Sequence, residues 1–171
     1  DRGGQQICVK VGDTDADVSD LGDGTYKAVF TPTAGGPLVL IVSLKGGKGE
    51  SRLASGLQVS AGRAVAKESS ITWDPNQGKA KAGQALRMEI VRADAFGNVV
   101  TSREGQPAVN LKVEGPAEAV VQTEETLDGR VLVQVTATTA GKYKATAAFV
   151  DGKESIGAPV LFEVTTKSPH T

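Results

Sequence analysis

The chain has 171 residues, 19 Lys and Arg against 20 Asp and Glu, a net charge of −1, and 39% hydrophobic residues that include four Phe, two Tyr and one Trp. Scattered basic residues at near-neutral charge exclude the long-range field that gathers nucleic acid or anionic lipid. No apolar run approaches the roughly 18 residues of a helical membrane span, and nothing at the start reads as a signal peptide.

Asp1 to Gly4 reads as a loop leading into a strand from Gln5 to Val11, with Ile7, Val9 and Val11 on one face and Cys8 on the other. Cys8 is the only cysteine, so no internal disulfide can form. Together with the absence of an Asn-x-Ser/Thr sequon, this points to a reducing, cytoplasmic compartment. No His, Lys pair or helix start lies beside Cys8 to activate its thiol, and it reads as an ordinary strand residue. Asp13, Asp15 and Asp17 alternate like the first ligands of a calcium loop. An EF-hand would then require Gly at residue 18 and Glu at residue 24, where this chain has Val18 and Gly24, so the three read as a solvated outer face.

Ala16 to Val18 forms a short strand, and Asp23-Gly24 a tight turn. Beyond the turn Tyr26, Ala28 and Phe30 share one face of a strand that Pro32 ends. Gly35-Gly36 then turns the chain into Leu38, Leu40, Val42 and Leu44, the expected antiparallel neighbour. Gly46 to Ser51 holds the glycines and lysine of a phosphate loop without their order or a following helix, and reads as a hairpin loop. A last strand lies near Gly56 to Ser60. That makes about five strands where a sandwich needs about seven, so the first two are expected to be absent or supplied from elsewhere. Ala61 to Ser69 reads as a linker.

In the second half Ser70 to Trp73 is a strand broken by Asp74-Pro75-Asn76, with Trp73 covering one end of a core. Lys81 to Gln84 turns into Ala85 to Ala93, where Leu86, Met88 and Ile90 face one way. Asp94 to Asn98 is a turn expected to fold Phe96 back onto the core. Ala108 to Glu114, Ala119 to Gln122, a hairpin pair from Asp128 and a final strand from Val160 to Val164 bring the count to seven.

The two halves repeat one pattern. Asp23-Gly24 leads to Gly35-Gly36 as Asp128-Gly129 leads to Gly141, at a spacing of 105 residues from Asp23 to Asp128. That is the length of a small all-β domain. The expected fold class is all-β, immunoglobulin-like β-sandwich modules in tandem, with the first at 1–62 and the second at 63–171.

Gly115-Pro116-Ala117-Glu118-Ala119, the Asp-Gly starts at Asp23 and Asp128, the Thr-Ala-Gly turns at Thr33 and Thr139, and Gly157-Ala158-Pro159 together resemble a filamin-type immunoglobulin-like repeat. Ala16 to Tyr26 matches it closely, and the resemblance covers about one and a half repeats. Ser55-Gly56-Leu57 departs from the usual Gly-Ser-Pro-Phe, and Asp94 to Asn98 is similar to a turn of bacterial adhesin immunoglobulin-like repeats. The resemblance implies a rod-like spacer and protein-binding platform of a cytoskeletal scaffold, which takes up a peptide tail as an added strand at its C–D edge. Carried onto this chain, the groove would be lined by Asn110, Lys112, Ala119 and Val121, with Ala16 and Val18 at the matching first-module positions. The implied partners are proteins, an extended peptide tail among them, and neighbouring repeats of the same chain. The alternative is an extracellular adhesion module of a cell-surface protein with filamin-type repeats, such as those on plant and algal gametes.

Catalysis finds no support in the composition. The single His170 stands one residue from the end, and Cys8 belongs to the other module, so no His-based nucleophile or proton relay assembles. One Cys and one His are too few for a zinc site. The chain is expected to be no enzyme and to carry no cofactor or metal.

Overall fold

The computed structural model describes residues 5–45, 50–53, 57–74 and 78–166. The phosphate-loop lookalike at 46–49 and His170 lie outside the described residues. The chain divides into two compact units, Asp1–Ser60 and Ala61–Thr171, and every regular element among the described residues is a strand.

The first unit contains β1 (Ile7–Val11), β2 (Thr14–Asp15), β3 (Asp17–Asp20), β4 (Tyr26–Val29), β5 (Gly36–Pro37), β6 (Leu40–Leu44), β7 (Glu50–Leu53) and β8 (Gln58–Val59). One sheet runs in the order β2-β1-β6-β7, while β3 pairs with β4 and β5 with β8. Ile7, Val9 and Val11 share a face as their alternation dictates, opposite Leu44, Val42 and Leu40 of β6. The expected hairpin between the Tyr26 strand and the Leu38–Leu44 run does not form. β4 pairs with β3 and β6 with β1, because residues 30–35 carry the chain from one layer to the other, where both apolar faces can meet.

The second unit contains β9 (Ser70–Trp73), β10 (Lys79–Lys81), β11 (Ala85–Val91), β12 (Val109–Glu114), β13 (Val120–Glu125), β14 (Val131–Thr136), β15 (Gly141–Phe149) and β16 (Ser155–Thr165). Two four-stranded sheets, β13-β14-β11-β9 and β10-β16-β15-β12, enclose the core. β14 and β15, read from the sequence as a hairpin, again lie in opposite sheets. The expected seven strands become eight, because the first is divided between the layers: β9 pairs with β11, and β10 runs parallel to β16. Leu86, Met88 and Ile90 of β11 and Val131, Val133 and Val135 of β14 supply one inner face; Ala145, Ala147 and Phe149 supply the other. Small alanines opposite larger side chains let the two layers approach.

The segment 61–69 is part of this second core and not a linker. Ala64 and Ala66 are buried in that core, Ala61 packs half-buried against it, and the Val65 amide donates to the Ala93 carbonyl at 2.9 Å. The 105-residue repeat is preserved in the pairing, since Gly36 opposes Val59 as Gly141 opposes Val164.

Candidate interaction edges

Strand β12 closes one sheet and β13 the other, and among the described residues each has a strand neighbour on one side only, β15 and β14 respectively. An edge of this kind presents unpaired main-chain donors and acceptors to an incoming strand. Alternation fixes what flanks it. Leu111 is buried, with Val109 and Val113 half-buried on the same inner face, while Asn110, Lys112 and Glu114 stand exposed on the outer face. Ala119 and Val121 pack half-buried against the core, next to an exposed Val120. Val109, Val113, Ala119 and Val121 are thus the half-buried apolar side chains that these two edges carry against the core.

On the outer face Lys112 donates to Glu114 at 2.7 Å. That hydrogen bond, with the charges of Lys112 and Lys144, holds the Glu114 carboxyl below the usual carboxylate range. The crossover joining the two edges is tightly held. A Cβ on Gly115 would stand 2.1 Å from the Tyr143 ring, so only glycine lets the backbone pass there. Tyr143 in turn donates its hydroxyl to the Thr139 carbonyl at 2.9 Å and stacks on Phe162 at 5.3 Å between centroids.

In the first unit Val18 lies half-buried on β3, opposite Ala28. Ala16 lies between β2 and β3, and its amide donates to the Val9 carbonyl at 2.9 Å. Residues 14–16 thus occupy the side of β1 that corresponds to the open side of β12.

One end of the second sandwich holds a polar arrangement that alternation alone hides. Arg92 continues the inward series Leu86, Met88, Ile90 and is 1% exposed. Its guanidinium donates to the Glu125 carboxylate and, at 3.0 Å each, to the carbonyls of Gly129 and Pro107. The signal in the sequence is a charged residue at an inward position of an otherwise apolar strand. Beside it Asp94 organises the following turn, accepting from the amides of Gly62, Phe96 and Asn98 and from the Asn98 side chain. The Gly62 hydrogen bond, then the Asn98 side chain, lower its pKa to about 2. Gly97 supplies the positive φ of 80° that the turn needs. Phe96 does not fold back onto the core; it is 63% exposed, because Asp94 directs the turn's amides inward and its side chains outward.

Among the described residues no group of three or more His, Cys, Asp or Glu could hold a metal ion, and no helix is long and apolar enough to cross a membrane.

No protein-family model matches the chain, and neither does any curated protein. Among solved structures it is similar to FdeC, an Escherichia coli adhesin, at 19% identity and a TM-score of 0.60 over 97% of this chain and 52% of that one. It is also similar to invasin, a bacterial integrin-binding protein, at 16% identity and a TM-score of 0.59 over 95% of this chain and 33% of that one. The Lin-41 filamin domain matches 60% of this chain and 96% of its own at 21% identity, with a TM-score of 0.49, too loose to carry an assignment. The chain spans about half of the FdeC chain and a third of the invasin chain. At such identities the likeness establishes the fold, immunoglobulin-like β-sandwich domains, and its neighbours are adhesion and structural domains rather than enzymes.

Proposed function

We propose that this chain is a non-catalytic adhesion module of a cell-surface protein, its two immunoglobulin-like units, 1–60 and 61–171, presenting protein-binding edges. The observation that supports this is the extent of the likeness to the two adhesins, which runs through 95% and 97% of this chain. The cytoplasmic placement suggested by a lone Cys8 finds no support in these neighbours. The filamin-type resemblance enters as the binding mode. An extended peptide of a protein partner pairs with β12, with Ala119 and Val121 reading its inward side chains and Asn110 and Lys112 flanking it on the outside.

The test is labelling of intact source cells with an antibody raised against this chain, before and after external protease treatment. Surface signal that protease removes supports the proposal. Signal that appears only after permeabilisation overturns the surface placement. For the binding mode, Val121→Glu, checked for an unchanged circular dichroism spectrum, should reduce capture of cell-surface proteins about tenfold through an unpaired charge at the β12–β13 edge. Equal capture by both forms moves the binding site away from the β12–β13 edge.

A further inference from the structure

We propose that the outer face of the sheet β10-β16-β15-β12 is a docking surface for a linear sulfated polysaccharide. Alternation and pairing gather on it lysines that lie far apart in sequence. Lys79 and Lys81 of β10, Lys112 of β12, and Lys142 and Lys144 of β15 all stand exposed at outward positions, beside the buried Ala80, Leu111 and Tyr143. Glu114 and Glu163 are the acidic residues at the described outward positions of these strands. The face thus sets five positive charges against two negative ones, in a chain whose net charge is −1. On the strands of the opposite sheet the outer face carries Arg87 against Glu89 and Glu124, so the excess belongs to one side of the sandwich.

Register sets the pattern of charge. Glu163 lies between Lys79 and Lys142, and Lys144 between Leu161 and Glu114. Lys81 faces Thr165, and Lys112 faces Thr146. With strands about 4.8 Å apart and outward residues about 7 Å apart along each, the lysines spread over about 14 Å across the four strands. Lys112 and Glu114 meet at 2.7 Å and Lys79 and Glu163 at 4.0 Å, but the two lysine side chains are 72% and 77% exposed. Exposed pairs of this kind are weak and yield to a competing anion. Screening confines the field to about 8 Å at physiological salt, so the face acts at contact and leaves the long-range balance of the chain unchanged.

The occupant follows from what the face has and lacks. Its described outward positions include no arginine and no aromatic ring. Those residues anchor protein interfaces, and rings are what stack single-stranded bases. Lysine ammonium groups are point charges that take anionic groups without a fixed geometry, so repeated charge on the sheet matches repeated charge along a polymer. An open depression of about 320 Å³, bordered by Gly78, Lys142, Leu161 and Glu163, gives one sugar ring a seat, with its C–H face on the 66%-exposed Leu161 and an anionic group at Lys142. Sulfation can place more than one charge on a sugar unit where a uronic acid supplies one, and outward spacings of about 7 Å call for the denser chain. The inference rests on the proposed surface placement only for where such a polymer is met. Its test uses the purified chain, so the two fail separately.

The probe is a fluorescently labelled heparin oligosaccharide, titrated with the 171-residue chain and followed by anisotropy between about 50 and 200 mM salt. The expected result is saturable binding that weakens as salt rises. Binding should fall about tenfold, with a shallower salt dependence, in the double variant Lys142→Gln, Lys144→Gln. It should stay within about twofold of wild type in Lys67→Gln, Arg87→Gln, which removes the same charge away from this face. All four side chains are exposed, and circular dichroism checks that both variants keep the fold. Absence of binding, or equal loss in the two double variants, overturns the docking surface. Equally tight binding of unsulfated hyaluronan overturns the sulfate requirement. Tighter binding of poly-glutamate or of duplex DNA makes an acidic protein or a nucleic acid the occupant and overturns the polysaccharide.

Discussion

Arg92 heads the side chains that the second unit buries completely, and its charge is answered by one carboxylate and two carbonyls. Shortening it to Ala would remove that charge, strand the Gly129 and Pro107 carbonyls and open a cavity, at a cost of about 3 kcal/mol. Arg92→Met fills the space and strands the same carbonyls, so its loss should be smaller. Thermal unfolding is expected to rank wild type above Arg92→Met above Arg92→Ala; equal midpoints for Ala and wild type would show that the buried cluster contributes nothing. Asp94 gives a pH-dependent counterpart. Its folded pKa of about 2 lies below the ordinary 3.8 of an aspartate, so its contribution is complete above the unfolded value and is lost as pH falls from about 4 towards 2. Asp94→Asn should flatten the decline of the melting temperature over that window while leaving the rest of the profile in place. An unchanged slope would mean that other carboxylates govern acid unfolding.

At the scale of elements, alternation made the inner faces legible. Leu86, Met88 and Ile90, the Val131–Val135 series and the Ile7–Val11 series all point where period two places them. Pairing was less legible, because a turn signal such as Thr138 to Gly141 marks where the chain bends and not which sheet it enters. β10 was hidden by a different cause: three residues beside a Gly turn acquire strand character only through parallel pairing with β16, some 80 residues away in sequence. The candidate edge followed the same division, with the strands readable and the outward direction of Asn110 and Lys112 fixed only by burial. Two substitutions measure how far packing enforces these elements. Val133→Ala deletes methyls from a residue 1% exposed and should cost about 2–3 kcal/mol, and Gly115→Ala drives a Cβ into the Tyr143 ring and should cost at least as much. Urea denaturation reads both. A tolerated Gly115→Ala would show that the crossover between β12 and β13 can move, and with it the two edges.

At the scale of the whole molecule the two units differ in how much core they own. Twenty buried apolar side chains form one cluster in the second unit, while Val9 and Val11 are the buried apolar residues among those described in the first. Burial at about 25 cal/mol per Å² offsets conformational entropy only where both sheets close on each other, so cooperative unfolding should belong to the second unit. Domain unfolding enthalpies near 60 °C run at about 0.7 kcal/mol per residue. Calorimetry of the 171-residue chain should therefore give about 80 kcal/mol, the value for a domain of about 110 residues, and not the roughly 120 kcal/mol of a fully cooperative chain of this length. An enthalpy near 120 kcal/mol would show that the eight strands of the first unit hold a cooperative core of their own.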